Sequence, residues 1–241
     1  MNKRIKLTQS EESKVYITTD THLNHDPKWA VPLWEGRGFK SSSEHTCFII
    51  DTINKMVRPG DKLIHLGDFC LNTTEAQCEE LLSRIMCQNI YMLWGNHNNP
   101  LWKVYQREVA SWVAWNEDGN QPGNCDFGDP ITEVYPFRYR NVVFMGNYLE
   151  AIIDRKLYIM EHYPIHVFNE MSHGAYHLCG HSHYGLDFSR AENLGNKILD
   201  VAWDGWKRPY TPQEIEALMN KKAIFATTDH HKSERPEGPD V

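Results

Sequence analysis

The sequence lacks any apolar run long enough to cross a membrane. A membrane-spanning helix needs about 20 consecutive apolar residues, and no stretch of the 241 residues approaches that length. The first residues, Met1-Asn2-Lys3-Arg4-Ile5, are not followed by the apolar core of a secretory signal peptide. We therefore expect a soluble cytoplasmic protein that makes no contact with a membrane.

Paired cysteines and excess positive charge are also missing. The six cysteines include no Cys-x-x-Cys pair, which favours reduced, buried thiols over disulfides or a zinc knuckle. The formal charge is −7, whereas proteins that bind duplex nucleic acid usually carry a basic surface. A phosphate substrate is still compatible with this charge, because a metal centre supplies positive charge locally.

Histidine is abundant, with 13 residues, and the apolar fraction of 41% is sufficient for a core. The length fits one large domain, which we place over residues 1–226. A stretch with several glycines over residues 112–130 is predicted to be an insertion or a lid, and residues 227–241 are predicted to be a polar tail. No obligate protein partner is evident.

The first half of the chain alternates predicted strands and helices. β-branched and aromatic runs predict strands over residues 15–19, 62–66 and 90–94. Helically spaced apolar residues behind Ser and Thr caps predict helices over 44–57 and 75–86. By the crossover rule these strands are parallel neighbours, so that their carboxyl ends lie at one edge of a sheet.

The second half of the chain has shorter apolar runs. A helix is expected over residues 100–108, and four runs over 131–135, 141–145, 149–153 and 157–160 predict a second, largely antiparallel sheet. Strands over 175–179 and 197–202 and a capped helix from 212 to about 221 complete the domain. Residues 1–13 are polar and are expected to be loosely held.

Five clusters of polar residues follow predicted strands, and each is weak evidence alone. Together they supply carboxylates, imidazoles and an amide, which is a ligand set for two divalent ions. Three of the clusters begin with glycine, where the backbone must turn. The clusters are Asp20-x-His22, Gly67-Asp68, Gly95-Asn96-His97, His162-x-Pro164 and Gly180-His181-x-His183.

The order of these motifs resembles the calcineurin-like metallophosphoesterase superfamily over residues 16–215. The closest similarity is to its small bacterial and phage branch, whose motifs read here Asp20-Thr21-His22-Leu23-Asn24-His25, Arg37-Gly38-Phe39 and His65-Leu66-Gly67-Asp68-Phe69. The resemblance implies an α/β fold, a four-layer α/β/β/α sandwich of two mixed sheets with metals at the strand ends. If the gene is phage-borne, the host cytoplasm is its location.

The resemblance also implies a role for each motif residue. One metal would be held by Asp20, His22, Asp68 and His183, and the other by Asp68, Asn96, His162 and His181. Asp68 would bridge two ions that share a hydroxide, which attacks the phosphorus. Asp68 and His97 would be the catalytic residues. His97 would stabilise the phosphoryl oxygens and protonate the leaving oxygen.

The sequence also predicts the metal and two residues that contact the substrate. Manganese is favoured because the ligand set contains two carboxylates and no thiolate, with iron, zinc, nickel and magnesium as alternatives. Arg37 is predicted to grip a phosphate oxygen and His25 to touch the substrate. A solvated arginine and an ordinary loop histidine are the competing interpretations.

The predicted reaction is hydrolysis of a phosphodiester in a nucleotide or a short single-stranded nucleic acid. Protein phosphatases of the superfamily continue the second motif as Gly-Asp-x-Val-Asp-Arg-Gly, and this chain lacks that arginine after Gly67-Asp68. The alternatives are a manganese-dependent DNA endonuclease or exonuclease, a phosphomonoesterase and a non-catalytic metal-binding scaffold.

One residue departs from the family pattern. Many relatives follow the catalytic histidine with Asp or Glu, whereas His97 is followed by Asn98. An amide can fix the tautomer of an imidazole but cannot favour its charged form. We expect either that His97 is a weaker acid or that another carboxylate, such as Asp26, supplies the charge.

Overall fold

The computed structural model describes residues 4–117 and 134–224. Most of the predicted lid and the whole predicted tail therefore lie outside the described residues. Within the described ranges no helix is long and apolar enough to cross a membrane.

The first sheet has the strand order β2-β3-β4-β6-β5. Its strands are β2 (Val15–Thr18), β3 (Lys62–His65), β4 (Ile90–Met92), β5 (Phe137–Tyr139) and β6 (Val142–Phe144). The pairs β2 with β3, β3 with β4 and β4 with β6 are parallel, and β5 is the antiparallel edge strand. The predicted parallel arrangement of the first three strands is confirmed.

The second sheet has the order β1-β7-β8-β9-β10. Its strands are β1 (Ile5–Leu7), β7 (Tyr148–Ile153), β8 (Lys156–Glu161), β9 (Tyr176–Cys179) and β10 (Ile198–Asp200). The prediction of a largely antiparallel sheet was wrong, since the β7–β8 hairpin is its only antiparallel pair among the described residues. The segment between β8 and β9 is long enough for a crossover, which returns the chain in parallel.

Two other predictions are corrected. Residues 4–7 are not loosely held, because Ile5–Leu7 forms the edge strand β1 and Arg4 Nε donates to Glu150 at 2.9 Å. The run 141–145 lies in the first sheet, since β6 pairs with β4 and not with the second sheet.

The helices are α1 (Leu33–Gly36), α2 (Ser42–Met56), α3 (Glu75–Arg84), α4 (Asn99–Glu117), α5 (Trp203–Trp206) and α6 (Pro212–Met219). Ser41 caps α2, and capping boxes begin α3 at Thr74 and α6 at Thr211, as predicted. Helix α4 is longer than predicted and includes part of the supposed lid. Its apolar spacing continues past Val109, which is buried against the first sheet.

The core lies in layers, with helices α2, α3 and α4 on the outer face of the first sheet. Residues from both sheets pack together in the middle layer, including Ile17, Ile64, Tyr158 and Leu178. Helix α6 contacts strands of both sheets, β2 and β10, at one side of this layer. The predicted α/β fold with two mixed sheets is confirmed.

Candidate metal centre

The five polar clusters follow five different strands at their carboxyl ends. Clusters after β2, β3 and β4 come from the first sheet, and clusters after β8 and β9 come from the second. The two sheets pack face to face, so these ends meet in one place. The structure thus brings together side chains separated by more than 160 positions, such as His22 and His183.

The first group of metal-ligand atoms comes from Asp20, His22 and His183, whose ligand atoms all lie within 4.8 Å of one another. Asp20 Oδ1 is 3.7 Å from the Nε2 atoms of both His22 and His183. The two imidazoles are stacked, with their Nε2 atoms 3.2 Å apart. One cation between these atoms would separate the nitrogens and satisfy the carboxylate.

The second group combines Asp20, Asp68 and His162 within the same 4.8 Å limit. Asn96 Oδ1 lies 3.1 Å from His162 Nε2 and 2.9 Å from His181 Nδ1. Asn96 and His181 therefore face the same space as His162. Sequence analysis assigned Asp20 to one metal alone, whereas its side chain contributes to both groups.

Asp68 belongs to the second group and also faces a histidine of the first. Its Oδ2 atom is 3.6 Å from His22 Nε2 and 3.5 Å from His162 Nε2. A single oxygen that faces imidazoles of both groups has the position of a bridging ligand. Two divalent cations close together need a shared anionic ligand to offset their repulsion.

Backbone N–H groups fix the orientation of both carboxylates. The amide of His181 donates to Asp20 Oδ2 at 3.0 Å, and the amide of His97 donates to Asp68 Oδ1 at 2.9 Å. The other oxygen of Asp20 is buried and has no hydrogen-bond partner among the described residues. A buried anionic oxygen without a partner is costly, so the donor set fits a cation at this point.

Hydrogen bonds at the far nitrogen orient two of the imidazoles. His183 Nδ1 lies 2.8 Å from Asp204 Oδ2, and His162 Nδ1 lies 3.1 Å from the carbonyl of Leu66. Because a carbonyl can only accept, His162 carries its proton on Nδ1 and presents a free Nε2 lone pair to the centre. This is the tautomer that binds a metal.

Burial and neighbouring charges set the protonation of the ligands. Burial opposes the ionisation of Asp20, but the neighbouring imidazoles of His22, His162 and His183 outweigh it and lower its pKa to about 2. Burial lowers the pKa of His22, and burial with His162 nearby lowers the pKa of His181. The carboxylate is therefore charged and these imidazoles are neutral at pH 7, as metal binding requires.

Two glycines of the motifs are required by close approach to the ligands. A Cβ atom on Gly95 would collide with the Asp68 carboxylate and backbone, and one on Gly180 would collide with Asp20 and Thr19. The carboxylates thus pack directly against bare backbone. This explains why glycine precedes Asn96 and His181.

Several ligands have left-handed backbone conformations, which are unusual for residues other than glycine. Their φ angles lie between 47° and 66°, at Asp20, His22, Asp68, His181 and His183. Each of these residues therefore stores strain that the surrounding hydrogen bonds must offset. Such conformations cluster at binding and catalytic sites.

His97 lies beside the ligands and is exposed. Its ring centroid is 5.8 Å from that of His22. Asn98, in contrast, is buried and points into the backbone, where its Oδ1 accepts from Phe69 N at 3.2 Å and its Nδ2 donates to Leu93 O at 3.3 Å. These bonds tie the ends of β3 and β4 together, and neither of them involves the His97 ring.

Arg37 is engaged in the protein, although a phosphate contact was predicted. Its side chain is 5% exposed and pairs with both oxygens of Asp204, at 2.8 and 2.7 Å. The remaining donors contact the carbonyls of Asp20 and Thr21 and the ring of His45. All five N–H groups of the guanidinium are thus in use, and a phosphate could bind only by displacing one of these partners.

His25, the other predicted substrate contact, lies 6.0 Å from His22 between ring centroids. Leu33 N donates to its Nδ1 at 3.1 Å, which places the ring proton on Nε2. Burial, together with the neighbouring imidazoles of His22 and His97, lowers its pKa to about 4. His25 is therefore a neutral donor at the edge of the centre.

Sequence analysis missed Asp204. It lies in α5 after the last strand and links Arg37 to His183. Burial opposes protonation of His183, but the Asp204 hydrogen bond outweighs it, so the pKa of His183 is raised. A single acidic residue beside tryptophans has no motif spacing, and only its proximity to β2 in the fold identifies it.

Comparison with known structures supports the fold. The chain resembles a crystal structure of a protein of unknown function from Aquifex aeolicus, with a TM-score of 0.53 and 16% sequence identity. The match covers 86% of this chain and 99% of that chain. At this identity the likeness concerns the fold alone. A comparison with curated proteins found no match.

The family is shown by a second comparison. A family model described as calcineurin-like phosphoesterase matches residues 13–209, a range that contains β2 to β10 and every ligand described above. The geometry agrees with this match, since its two ligand groups share the Asp20 carboxylate at the strand ends of two facing sheets. The chain belongs to the calcineurin-like phosphoesterase family.

Proposed function

We propose that this protein is a phosphodiesterase that binds two divalent metal ions, with manganese preferred, and hydrolyses a nucleotide or a short single-stranded nucleic acid. Membership of the family makes a phosphate ester the substrate class and divalent ions the cofactors. The observation that carries the proposal is the position of Asp68, with Oδ2 within 3.6 Å of an imidazole from each ligand group.

The ligands divide between two cations. Asp20, His22 and His183 would hold one ion, and Asn96, His162 and His181 the other, with Asp68 shared. When bound, the ions supply a nucleophile at neutral pH and offset the charge of the phosphoryl group. Oxygen and imidazole donors suit manganese. The set contains no thiolate, which would favour zinc.

His97 is the proposed general acid. Hydrolysis forms a bond from a water oxygen to phosphorus and breaks the bond from phosphorus to the leaving oxygen, which takes a proton from His97. The proton released by water returns the imidazole to its starting state. Exposure of His97 supports this role, because its ring is open to a substrate while its backbone amide is fixed on Asp68.

The test is hydrolysis of bis-para-nitrophenyl phosphate with and without manganese. We expect manganese-dependent activity in the wild-type protein, loss of activity and of bound manganese in Asp68→Ala, and loss of activity with metal retained in His97→Ala. Manganese binding without hydrolysis of any phosphate ester would instead identify a scaffold.

A substrate screen separates the reaction classes. The same manganese-loaded protein should be assayed on phosphomonoesters, cyclic nucleotides, single-stranded oligonucleotides and duplex DNA. We expect the diesters of nucleotides or single strands to have the highest kcat/KM, because a charge of −7 opposes binding of a long duplex. A preference for monoesters would contradict the proposed substrate class.

A further inference from the structure

A cavity adjoins the metal centre on the side of His97. Its volume is about 480 Å³, and its lining includes His97, Asn72, Asn99 and Lys103. The cavity lies between the first residues of α3 and α4, because Thr74 and Pro100 also line it. None of the metal ligands described above lines this cavity, so it is a space beside the centre and not the centre itself.

The position of His97 determines what this cavity holds during the reaction. If His97 protonates the leaving oxygen, then the group attached to that oxygen must lie next to His97. The ring lines the cavity on one side and approaches His22 on the other. The leaving group therefore enters the cavity while the phosphorus stays at the metal ligands.

Lys103 gives the cavity its charge. The side chain is exposed and forms no hydrogen bond or ion pair with the residues that the structure describes. Asn99 and Lys103 are four positions apart on α4, which places them on the same face of the helix, toward the cavity. The ammonium group is thus a free cation in the space assigned to the leaving group.

The one acidic residue in the cavity lining does not cancel this charge. The Glu75 carboxylate accepts from Arg107 Nη1 at 2.9 Å, on the side of α4 that faces α3. Apart from the His97 ring, the remaining polar side chains in the lining are neutral amides and hydroxyls, from residues such as Asn72 and Thr73. An uncompensated ammonium among neutral polar groups is suited to an anion with hydrogen-bonding oxygens.

We propose that this cavity binds the leaving group of the substrate and that Lys103 binds a second phosphoryl group on it. This inference rests on the proposed function, since it uses His97 as the acid. It narrows the substrate class to esters whose leaving group is itself phosphorylated. Two sources share this chemistry: an oligonucleotide with a further phosphate, and a cyclic nucleotide with a further phosphate.

The kinetic test compares substrates that differ by one phosphate. Thymidylyl-thymidine has a neutral leaving nucleoside, whereas its 5′-phosphorylated and 3′-phosphorylated forms place a phosphate on one side or the other of the scissile bond. Adenosine 2′,3′-cyclic phosphate and its 5′-phosphorylated form are the matching pair for the second source, because both contain the same scissile diester. We expect at least one phosphorylated form to exceed its partner in kcat/KM by about tenfold, and the preferred pair identifies the source.

Variants then assign this preference to Lys103. We expect Lys103→Ala to abolish the tenfold ratio through a higher KM, and Lys103→Arg to retain most of it. Lys55→Ala is the matched control, because Lys55 is an exposed lysine in the last turn of α2 that does not line the cavity. An unchanged ratio in Lys103→Ala, or no preference in the wild-type protein, would overturn the inference.

A binding measurement separates this inference from the proposed function. Calorimetry on the metal-loaded protein should give thymidine 3′,5′-bisphosphate a lower Kd than either thymidine monophosphate, and Lys103→Ala should remove this advantage. If the protein hydrolyses no phosphate ester, the proposed function fails, whereas the binding advantage still tests the cavity. Equal affinity for the bisphosphate and the monophosphates would refute the cavity assignment alone.

Discussion

Asp204 connects His183 with Arg37 through three hydrogen bonds. One of its oxygens contacts His183 Nδ1, and both contact the guanidinium of Arg37, which in turn holds the carbonyls of Asp20 and Thr21. A carboxylate behind a ligating histidine fixes the ring and increases its basicity. Asp204 and Arg37 thus position the ligands of the β2 and β9 loops together.

We expect Asp204→Asn to lower manganese affinity by about 10- to 100-fold. An amide neither favours the required orientation of the imidazole nor balances the positive charge of Arg37. Titration calorimetry with manganese measures this loss, and thermal unfolding verifies that the variant is folded. Asp187→Asn is the control, since the Asp187 side chain is 88% exposed and its only partner among the described residues, Arg190, is also on the surface. Equal affinity in the two variants would exclude the positioning role.

The structure changes the interpretation of Asn98. A carboxylate at this position could accept from Phe69 N but could not donate to Leu93 O. Neither bond reaches the ring of His97, and Asp26 is hydrogen-bonded to Trp34. Asn98 therefore stabilises the turn that follows β4 and does not act directly on His97.

We expect Asn98→Asp to lower the free energy of unfolding by about 1–3 kcal/mol, since it buries a charge and leaves a carbonyl without its donor. Urea denaturation at pH 7 measures the change. Asn196→Asp is the matched control, because Asn196 Oδ1 accepts from Ile198 N, as a carboxylate can, and its Nδ2 has no hydrogen-bond partner among the described residues. A stable Asn98→Asp protein with a shifted pH–rate profile would restore the original hypothesis.

The ligands of the centre could be predicted from the sequence, but the residues that hold them in position could not. Asp20, His22 and Asp68 follow strands in a motif order that can be read directly. Asp204 and the backbone partners of Asn98 depend on contacts between segments distant in sequence. The engagement of Arg37 was missed for the same reason, because its partner Asp204 lies 167 positions away.

At the scale of elements, five strands end in a turn that positions a ligand: β2, β3, β4, β8 and β9. The turns after β2, β3 and β9 all place non-glycine ligands at positive φ. Glycine supplies the space, since the carboxylate of one turn lies against the glycine of another, as Asp20 does against Gly180. The glycines could be predicted as turn residues, whereas the close packing between turns could not.

We expect Gly180→Ala to displace the Asp20 carboxylate and to lower manganese affinity by at least tenfold, because the new Cβ has no space beside Asp20 and Thr19. Metal analysis after dialysis against manganese measures the loss. Gly36→Ala is the control, since a Cβ on Gly36 would meet nothing within 4 Å. Full metal content in Gly180→Ala would show that the turns adjust more easily than their packing indicates.

At the scale of the whole molecule, the order of strands could be predicted better in the first sheet than in the second. Helices between β2, β3 and β4 make their parallel pairing the expected result. No helix of four or more residues separates β8 from β9. The short apolar runs of the sequence therefore favoured antiparallel hairpins over a parallel crossover in this part of the chain. Strand β1 was missed because three residues carry too little periodicity.

Buried histidines away from the centre make the stability of the whole molecule depend on pH. His177 in β9 illustrates this, because its Nδ1 donates to the carbonyl of Ile159 and its Nε2 accepts from Ile165 N. Burial lowers its pKa from 6.5 to about 4. A proton on Nε2 would break the bond with Ile165 and place a charge in the second sheet.

The sign of the pH effect follows from linkage. Between about pH 4 and pH 6.5 the unfolded chain binds a proton at His177 that the folded chain does not, so the free energy of unfolding falls as the pH falls. For this histidine alone we expect a loss of about 2 kcal/mol between pH 7 and pH 5. Urea denaturation in the presence of a chelator measures it without a contribution from metal binding. His177→Gln should show a smaller loss over the same interval, whereas His173→Gln, at an exposed position, should retain the wild-type slope. Equal slopes in all three proteins would mean that His177 does not control the acid sensitivity of the fold.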